Sequence, residues 1–232
     1  MEKQKYAAIV LAAGSGKRMN SQVHKQYLII QDRPVLYYSL KAFEDSAVDE
    51  IVLVVGKGEE EFCRREIVDK YGISKVKAIV EGGKERYHSV FEGLKQTSDA
   101  DYVLIHDGAR PFVNQEIIRR CMLEVQKYQA CVVGMPVKDT IKIADEEGYA
   151  KQTPDRKNVW MIQTPQTFSY ALIYEAYEEM LKTEDTAITD DAMVLERIKG
   201  KKSKLIEGSY RNIKITTPED LLIANVYLQH PE

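Results

Sequence analysis

The chain has 232 residues, 44% of them hydrophobic and 30% charged, with a formal net charge of −3. That is ordinary globular composition, long enough to bury a substantial core. The slight acidity excludes a general nucleic-acid or membrane-surface binder, because no cationic excess meets a polyanion, so any anion site must be a local cluster.

In chain order, AAIVLAA (7–13) reads as a strand, and PVLYYSLKAF (34–43) as a helix with Leu36, Leu40 and Phe43 on one stripe and Pro34 in its first turn. EIVLVVG (50–56) and VKAIVEGG (76–83) are strands, RYHSVFEGLK (86–95) a helix, DYVLIHD (101–107) a strand. QEIIRRCMLEVQKY (115–128) is a helix and ACVVGMPV (130–137) a strand. The five strand runs look buried on both faces. The alternation predicts an α/β fold: a Rossmann-like, mostly parallel sheet with helices on both faces and ligands at the carboxyl ends of the strands.

After Pro136 the pattern breaks. The polar stretch VKDTIKIADEEGYAKQTPDRKNVWMIQ (137–163), with its turn signal at Asp145-Glu146-Glu147-Gly148, predicts a projecting β-hairpin arm at about 138–160. Its few apolar residues cannot form a core, so it is expected to pack on a second subunit. Helices return in SYALIYEAYEEMLK (169–182) and DDAMVLERIKG (190–200). NIKIT (212–216) reads as a late strand, and Thr217-Pro218-Glu219-Asp220 caps a last helix. The whole chain, 1–232, is expected to be one domain with this arm. Cys63, Cys121 and Cys131 are isolated, which fits a reducing compartment rather than a disulfide framework or zinc site. No run approaches the roughly 18 apolar residues of a transmembrane helix. Lys17 and Arg18 follow the first apolar run too soon for a signal peptide, so the expected location is cytoplasmic.

LAAGSGKRM (11–19) resembles a phosphate cradle without matching either familiar nucleotide loop. A dinucleotide fingerprint needs glycine where Met19 stands; a P-loop needs glycine at Leu11 and Ser or Thr at Arg18. Gly14 and Gly16 still let backbone N–H groups turn toward an anion, and Lys17, Arg18 and Lys25 supply charge for a polyphosphate. The plain alternative is a solvated basic turn. In GGKERYHSV (82–90), Gly82 and Gly83 allow backbone to approach a flat ligand such as a base, with Ser89 one helical turn beyond Arg86 or Glu85; the alternative is an ordinary strand–helix turn. In IHDGARP (105–111), Asp107 ends an apolar strand, where a carboxylate is costly unless it faces a ligand or a metal such as Mg²⁺. Otherwise it caps the next element and pairs with Arg110. His106 alternates away from Asp107 and reads as a satisfied core or surface histidine. In NIKIT, Lys214 shares a face with Asn212 and Thr216 and suits a substrate phosphate. Thr140 and Arg156 lie on the arm, Thr164 in QTPQTF, and Thr189 before an acidic helix start, where an N-cap role competes. Tyr170, Tyr174 and Tyr177 fall at helical spacing and belong to a core or interface.

Taken in order, LAAGSGKRM, Lys25-Gln26-Tyr27, GGKERYHSV, IHDGARP, PVKDTIK, QTPQTF, TDDA and NIKITTPED resemble the 2-C-methyl-D-erythritol 4-phosphate cytidylyltransferase family, within the sugar-nucleotidyltransferase superfamily. The resemblance spans residues 6–227 and implies transfer of cytidylate from CTP to a polyol phosphate, with Mg²⁺ or another divalent metal. It implies that Arg18 and Lys25 stabilise the transition state with Lys17 nearby. Ala12, Ala13, Gly14, Gly16, Gly82 and Ser89 hold the nucleotide, and Asp107 faces the metal. Arg110, Thr140, Thr164 and Thr189 hold the second substrate, Arg156 and Lys214 acting there as catalytic cations. It further implies a homodimer with swapped arms, and no nucleic-acid or membrane partner. The related ribitol-5-phosphate cytidylyltransferases, the alternative within the superfamily, usually carry AlaGlyGly in the loop and usually lack the alanine at position 109, so Ala13 and Ala109 favour methylerythritol phosphate as acceptor. A non-catalytic nucleotide-binding regulator on the same fold is the rival of another class.

Overall fold

The computed structural model describes residues 3–14, 24–183 and 187–230. The chain runs β1 (Tyr6–Ala12), a 3-10 turn (Lys25–Tyr27), a small hairpin of β2 (Ile29–Ile30) and β3 (Arg33–Pro34), α1 (Val35–Glu44) and β4 (Glu50–Val55). Next come α2 (Glu60–Cys63), continued by a π-helical turn (Arg64–Asp69), then β5 (Val76–Glu81), α3 (Arg86–Leu94), β6 (Tyr102–Asp107), α4 (Gln115–Tyr128) and β7 (Ala130–Pro136). The last part holds β8 (Ile143–Ala144), β9 (Ala150–Gln152), a 3-10 turn (Arg156–Asn158), β10 (Trp160–Ser169), α5 (Tyr170–Met180), α6 (Asp191–Lys199), β11 (Lys204–Glu207) and α7 (Pro218–Gln229). Seven strands form the main sheet in the order β11-β7-β10-β6-β1-β4-β5. Among the described residues of this sheet, only β10 runs antiparallel to its neighbours, β6 and β7.

Strand periodicity divides the core in two. Ala8 and Val10 of β1, Leu53 of β4 and Leu104 of β6 face α1 and α4, meeting Leu36, Leu40, Phe43, Ile117 and Cys121. The alternate residues Ala7, Ile9, Val52, Val103 and Ile105 face α3, α5 and α6, meeting Leu94, Ile173, Tyr177 and Leu195. One chain thus supplies both faces of a doubly covered sheet, because successive side chains point to opposite sides. α7, with its Thr217–Asp220 capping box and Pro at N1, packs Ala224 on Ile30, Val35 and Ile215 in a third cluster.

The sequence expectations hold for the five parallel runs and the major helices, with four corrections. β5 is the sheet's edge, and only Val76 in it is buried, so it is not covered on both faces. Pro34 is extended at φ −66° and ψ 147° and stands at the N-cap of α1, outside the first turn. NIKIT (212–216) forms no strand and joins no sheet, its start being held in tight turns by Asn212 N–H to the Ser209 carbonyl and Ile213 N–H to the Arg211 carbonyl; the late parallel strand is β11, whose Leu205 pairs with Val132. Antiparallel β10 had no expectation: its WMIQ half was read as arm and its TPQTF half as motif alone. The arm itself is present as the β8–β9 hairpin, with Asp145 and Tyr149 bonded across the turn. Its apolar side chains Ile141, Ile143 and Tyr149 are exposed.

Candidate active site

Two clefts open at the carboxyl edge of β1 and β6. The first, about 380 Å³, runs under the backbone of 11–14 and along Lys25, Gly83, Arg86 and Ser89. The second, about 200 Å³, lies against Arg110, Ile162, Thr164 and Thr189. Arg86, Asp107 and Lys214 line both and form their common wall.

Asp107, the last residue of β6, is buried among cations. Lys214 Nζ lies 2.8 Å from its Oδ2, Arg86 Nε 3.5 Å from Oδ1, and Arg110 Nε 3.8 Å from Oδ2. Burial works against the charged carboxylate, but Arg86, Lys214 and Arg110 overcome it and hold Asp107 well below the usual carboxylate range. Arg86 is fixed from behind by a fork-to-fork pair with the fully buried Asp191, both N–H···O bonds measuring 2.8 Å. The Tyr177 hydroxyl donates to Asp191 Oδ1 at 2.6 Å. Burial opposes the Arg86 charge, yet Asp191 and Asp107 keep its pKa well above the ordinary value. Arg110 donates through Nη1 to the Asn212 carbonyl at 2.8 Å, while its buried Nε has no hydrogen-bond partner among the described residues.

His106 is fully buried behind this wall. Its Nε2 lies 3.2 Å from the Arg110 carbonyl, which can only accept, so Nε2 carries the proton. Nδ1 then accepts from the Thr164 hydroxyl at 3.0 Å, and Thr164 Oγ1 in turn accepts the Asp107 amide at 3.1 Å. Burial lowers the His106 pKa to about 4, so the ring is a neutral brace, as expected of a satisfied core histidine.

The structure brings Ala12, Ala13, Gly14, Lys25, Ser89, Asp107 and Lys214 to the first cleft, and Arg110, Thr164 and Thr189 to the second. Gly16, Lys17 and Arg18 lie outside the described residues. Gly82 does not line the cleft; Gly83 does. The need for glycine at 82 is packing, since a Cβ there would stand 2.5 Å from Ala13 Cβ and 2.7 Å from Ser89 Oγ. Pairing of Asp107 with Arg110 alone is corrected: Lys214 and Arg86 are both nearer. Thr189 is not the N-cap; Asp190 is, accepting from the Met193 amide. Thr140 and Arg156 are exposed on the arm and line neither cleft, and Arg156 Nη1 donates to the Lys138 carbonyl at 2.9 Å. Sequence reasoning missed Arg86 as a wall residue and Asp191 as its anchor. An arginine at a helix start and an aspartate at another, 105 residues apart, carry no joint signal before folding.

A cation-lined double cleft at the carboxyl edge of a doubly wound sheet is suited to bring a nucleotide and an anionic acceptor together. The family profile for 2-C-methyl-D-erythritol 4-phosphate cytidylyltransferase matches residues 6–230. Proteins of that name from Lachnospira eligens and Lachnoclostridium phytofermentans are 54% and 50% identical, covering 96% and 97% of this chain and 98% and 97% of their own. A crystal structure of 4-diphosphocytidyl-2C-methyl-D-erythritol synthase from Anaerococcus prevotii superposes with a TM-score of 0.86 at 38% identity, covering 98% of this chain and 97% of that one. The chain belongs to the 2-C-methyl-D-erythritol 4-phosphate cytidylyltransferase family.

Proposed function

We propose that the chain transfers the cytidylyl group of CTP to 2-C-methyl-D-erythritol 4-phosphate, giving 4-diphosphocytidyl-2-C-methyl-D-erythritol and pyrophosphate, in the non-mevalonate isoprenoid precursor pathway. The observation that carries this reading is the wall of Arg86, Asp107 and Lys214 common to both clefts. A nucleotide in the first and a polyol phosphate in the second would meet at one cation-rich point. A phosphate oxygen of the polyol attacks the α-phosphorus in line. The new P–O bond forms as the bond to the bridging oxygen breaks, and pyrophosphate leaves with the electron pair. Catalysis here is positioning plus charge stabilisation.

In this reading Lys25 and Arg18 meet the charge that grows on the α-phosphate, and Lys17, next to Arg18 in sequence, adds to their charge. Ala12, Ala13, Gly14, Gly16 and Ser89 hold the nucleotide, with Gly82 allowing the close packing behind them. Lys214, Arg110 and Thr189, which line the second cleft, hold the acceptor phosphate. Thr164, its hydroxyl committed to His106 and Asp107, acts by fixing the wall. The residues also fit Mg²⁺. Among the described residues no cluster of three His, Cys, Asp or Glu could hold an ion alone, so Asp107 would be its one protein carboxylate, giving up contacts with Lys214 or Arg86 to it, and phosphate and water would complete the shell. Bound there, the ion would neutralise charge on the triphosphate and the departing pyrophosphate. No helix among the described residues is long and apolar enough to cross a membrane; the three buried cysteines are free thiols, although Cys131 Sγ lies 3.7 Å from the Cys121 carbonyl, and this fits a reducing compartment.

Pyrophosphate release from CTP with each polyol phosphate tests the reading. Turnover is expected with the methylerythritol phosphate. Turnover only with ribitol 5-phosphate would reassign the acceptor, and none with either would leave a nucleotide-binding regulator. We place Arg156 and Thr140 in the partner's acceptor cleft of a two-fold dimer, on the support of an arm that carries exposed apolar residues and lines neither cleft of its own chain. Exchanging subunits between the inactive variants Arg156→Ala and Lys25→Ala should then restore roughly a quarter of all sites, since about half the dimers are mixed and each has one intact site. No recovery despite demonstrated exchange would return Arg156 to its own chain.

A further inference from the structure

We propose that Glu59 is a positioning residue for Lys25; the inference rests on the reading of Lys25 as a transition-state cation. β4 ends just before Gly56, and Gly58, at φ +74°, turns the chain so that Glu59 folds back over the strand end. There Glu59 Oε2 accepts the Gly56 amide at 3.0 Å and the Tyr27 hydroxyl at 2.7 Å; Oε1 lies 2.7 Å from His24 Nδ1, a close contact that lacks hydrogen-bond geometry. His24 and Tyr27 bracket the Lys25 turn. Gln26, 1% exposed, donates from its side-chain amide to the Ala12 carbonyl at the end of β1. The segment that carries Lys25 is therefore pinned to two strand ends, one of them through the carboxylate of Glu59.

A single 3-10 turn has little stability of its own, so these side chains decide where the lysine starts. The ordinary explanation for an acid at this place is helix capping, but Glu59 makes no side-chain cap bond to α2. The strand end leaves room for the carboxylate: a Cβ on Gly56 would stand 2.7 Å from Glu59 Oε2. Burial, then the neighbouring Cys63 and Glu59, push the Tyr27 pKa upward, so its hydroxyl remains a donor.

The test measures kcat and CTP KM by pyrophosphate release for Lys25→Ala, Glu59→Ala, Glu59→Gln and the double variant Lys25→Ala/Glu59→Ala. Misplacing a catalytic group by about 1 Å can cost on the order of a hundredfold, so Glu59→Ala should lower kcat about tenfold or more, with CTP KM moving less than about threefold. Glu59→Gln, whose carbonyl can still accept from Tyr27 and Gly56, should recover most of the loss. With Lys25 already removed, Glu59→Ala should change kcat by less than about twofold, because residues acting as a unit are non-additive. Unchanged kcat in Glu59→Ala, or a double variant showing the product of both losses, overturns the proposal. Wild-type kcat in Lys25→Ala sinks the Lys25 reading instead, and the inference with it. Should Glu59→Ala fail to fold, Tyr27→Phe removes one anchor and is judged by the same split.

Discussion

His106 makes the sharpest physical test of the site's architecture. It is fully buried, its ring stacks edge-on to Phe43 at 5.2 Å, and burial holds its pKa near 4 against an ordinary 6.5. As pH falls below 6.5, the unfolded chain takes a proton that the folded chain refuses, so stability drops with falling pH until the folded pKa is reached. The gap of 2.5 units (6.5 − 4) corresponds to about 3 kcal/mol in full, of which about 2 kcal/mol is lost between pH 7 and pH 4.5. Against a typical total of about 5–15 kcal/mol, that is a large share. The assay is urea unfolding of wild type and His106→Gln across this range. The variant should be less stable at pH 7, having lost the brace between Arg110 and Thr164, yet its pH slope should be shallower by about 2 kcal/mol over the window. Other titrating groups cancel in the difference between the two proteins. Parallel losses would mean that His106 carries a proton in the folded state, and the neutral brace would have to be given up.

Lys25→Ala, and separately Arg18→Ala, should lower kcat by on the order of a hundredfold or more with little change in CTP affinity. A rise in CTP KM alone would make the cation a ground-state binder. Turnover should require a divalent metal, and Asp107→Asn should raise the Mg²⁺ needed for half-maximal rate by about tenfold or more. Full rate in excess chelator refutes the metal, and an unaltered titration in the variant refutes Asp107 as its ligand. Thr189→Ala should leave the melting temperature nearly unchanged, because Asp190 caps α6, whereas Asp190→Ala should cost about 1 kcal/mol. If Thr189→Ala matches Asp190→Ala in stability and leaves the acceptor KM untouched, its place in the second cleft is structural.

What was legible in the sequence was whatever depends on near neighbours. Strands buried on both faces declare themselves as β-branched runs, and α4 emerges with the expected bounds, Gln115–Tyr128, because Asn114 caps it and the apolar period is 3.6. Interruptions of that local logic were not legible. β10 mixes the polar Gln163, Thr164, Gln166 and Thr167 into a strand that is nonetheless buried, so periodicity gave no strand signal. Those polar groups are largely satisfied by distant partners: Gln166 caps the backbone of Asp191 and Ala192, and Gln163 donates to the Ser209 carbonyl. NIKIT misled for the converse reason. It alternates like a strand, with Ile215 inward and Lys214 toward Asp107, but it is held by single bonds such as Ile215 N–H to the Ala109 carbonyl. Side-chain alternation needs only extended backbone; sheet membership needs a neighbouring strand, and no local pattern supplies one.

The same distinction explains why the Arg86–Asp191 pair matters to the chemistry although it makes no motif. Arg86, Arg110 and Lys214 repel one another across a small, partly buried space, and Asp107 alone cannot balance three cations. Without a second acid, Arg86 would be drawn fully onto Asp107 and would crowd Lys214 from its 2.8 Å contact. Asp191 prevents this by taking both terminal nitrogens of the guanidinium, leaving only Nε turned to Asp107. Tyr177 helps to fix Asp191 in that orientation. The cations therefore stand in place before any phosphate arrives. Little reorganisation is then needed when charge develops, and that preorganisation is where electrostatic catalysis gains most. A buried ion pair is weak evidence for stability; here its value lies in apportioning two carboxylates among three cations so that the wall between the clefts stays open to both substrates.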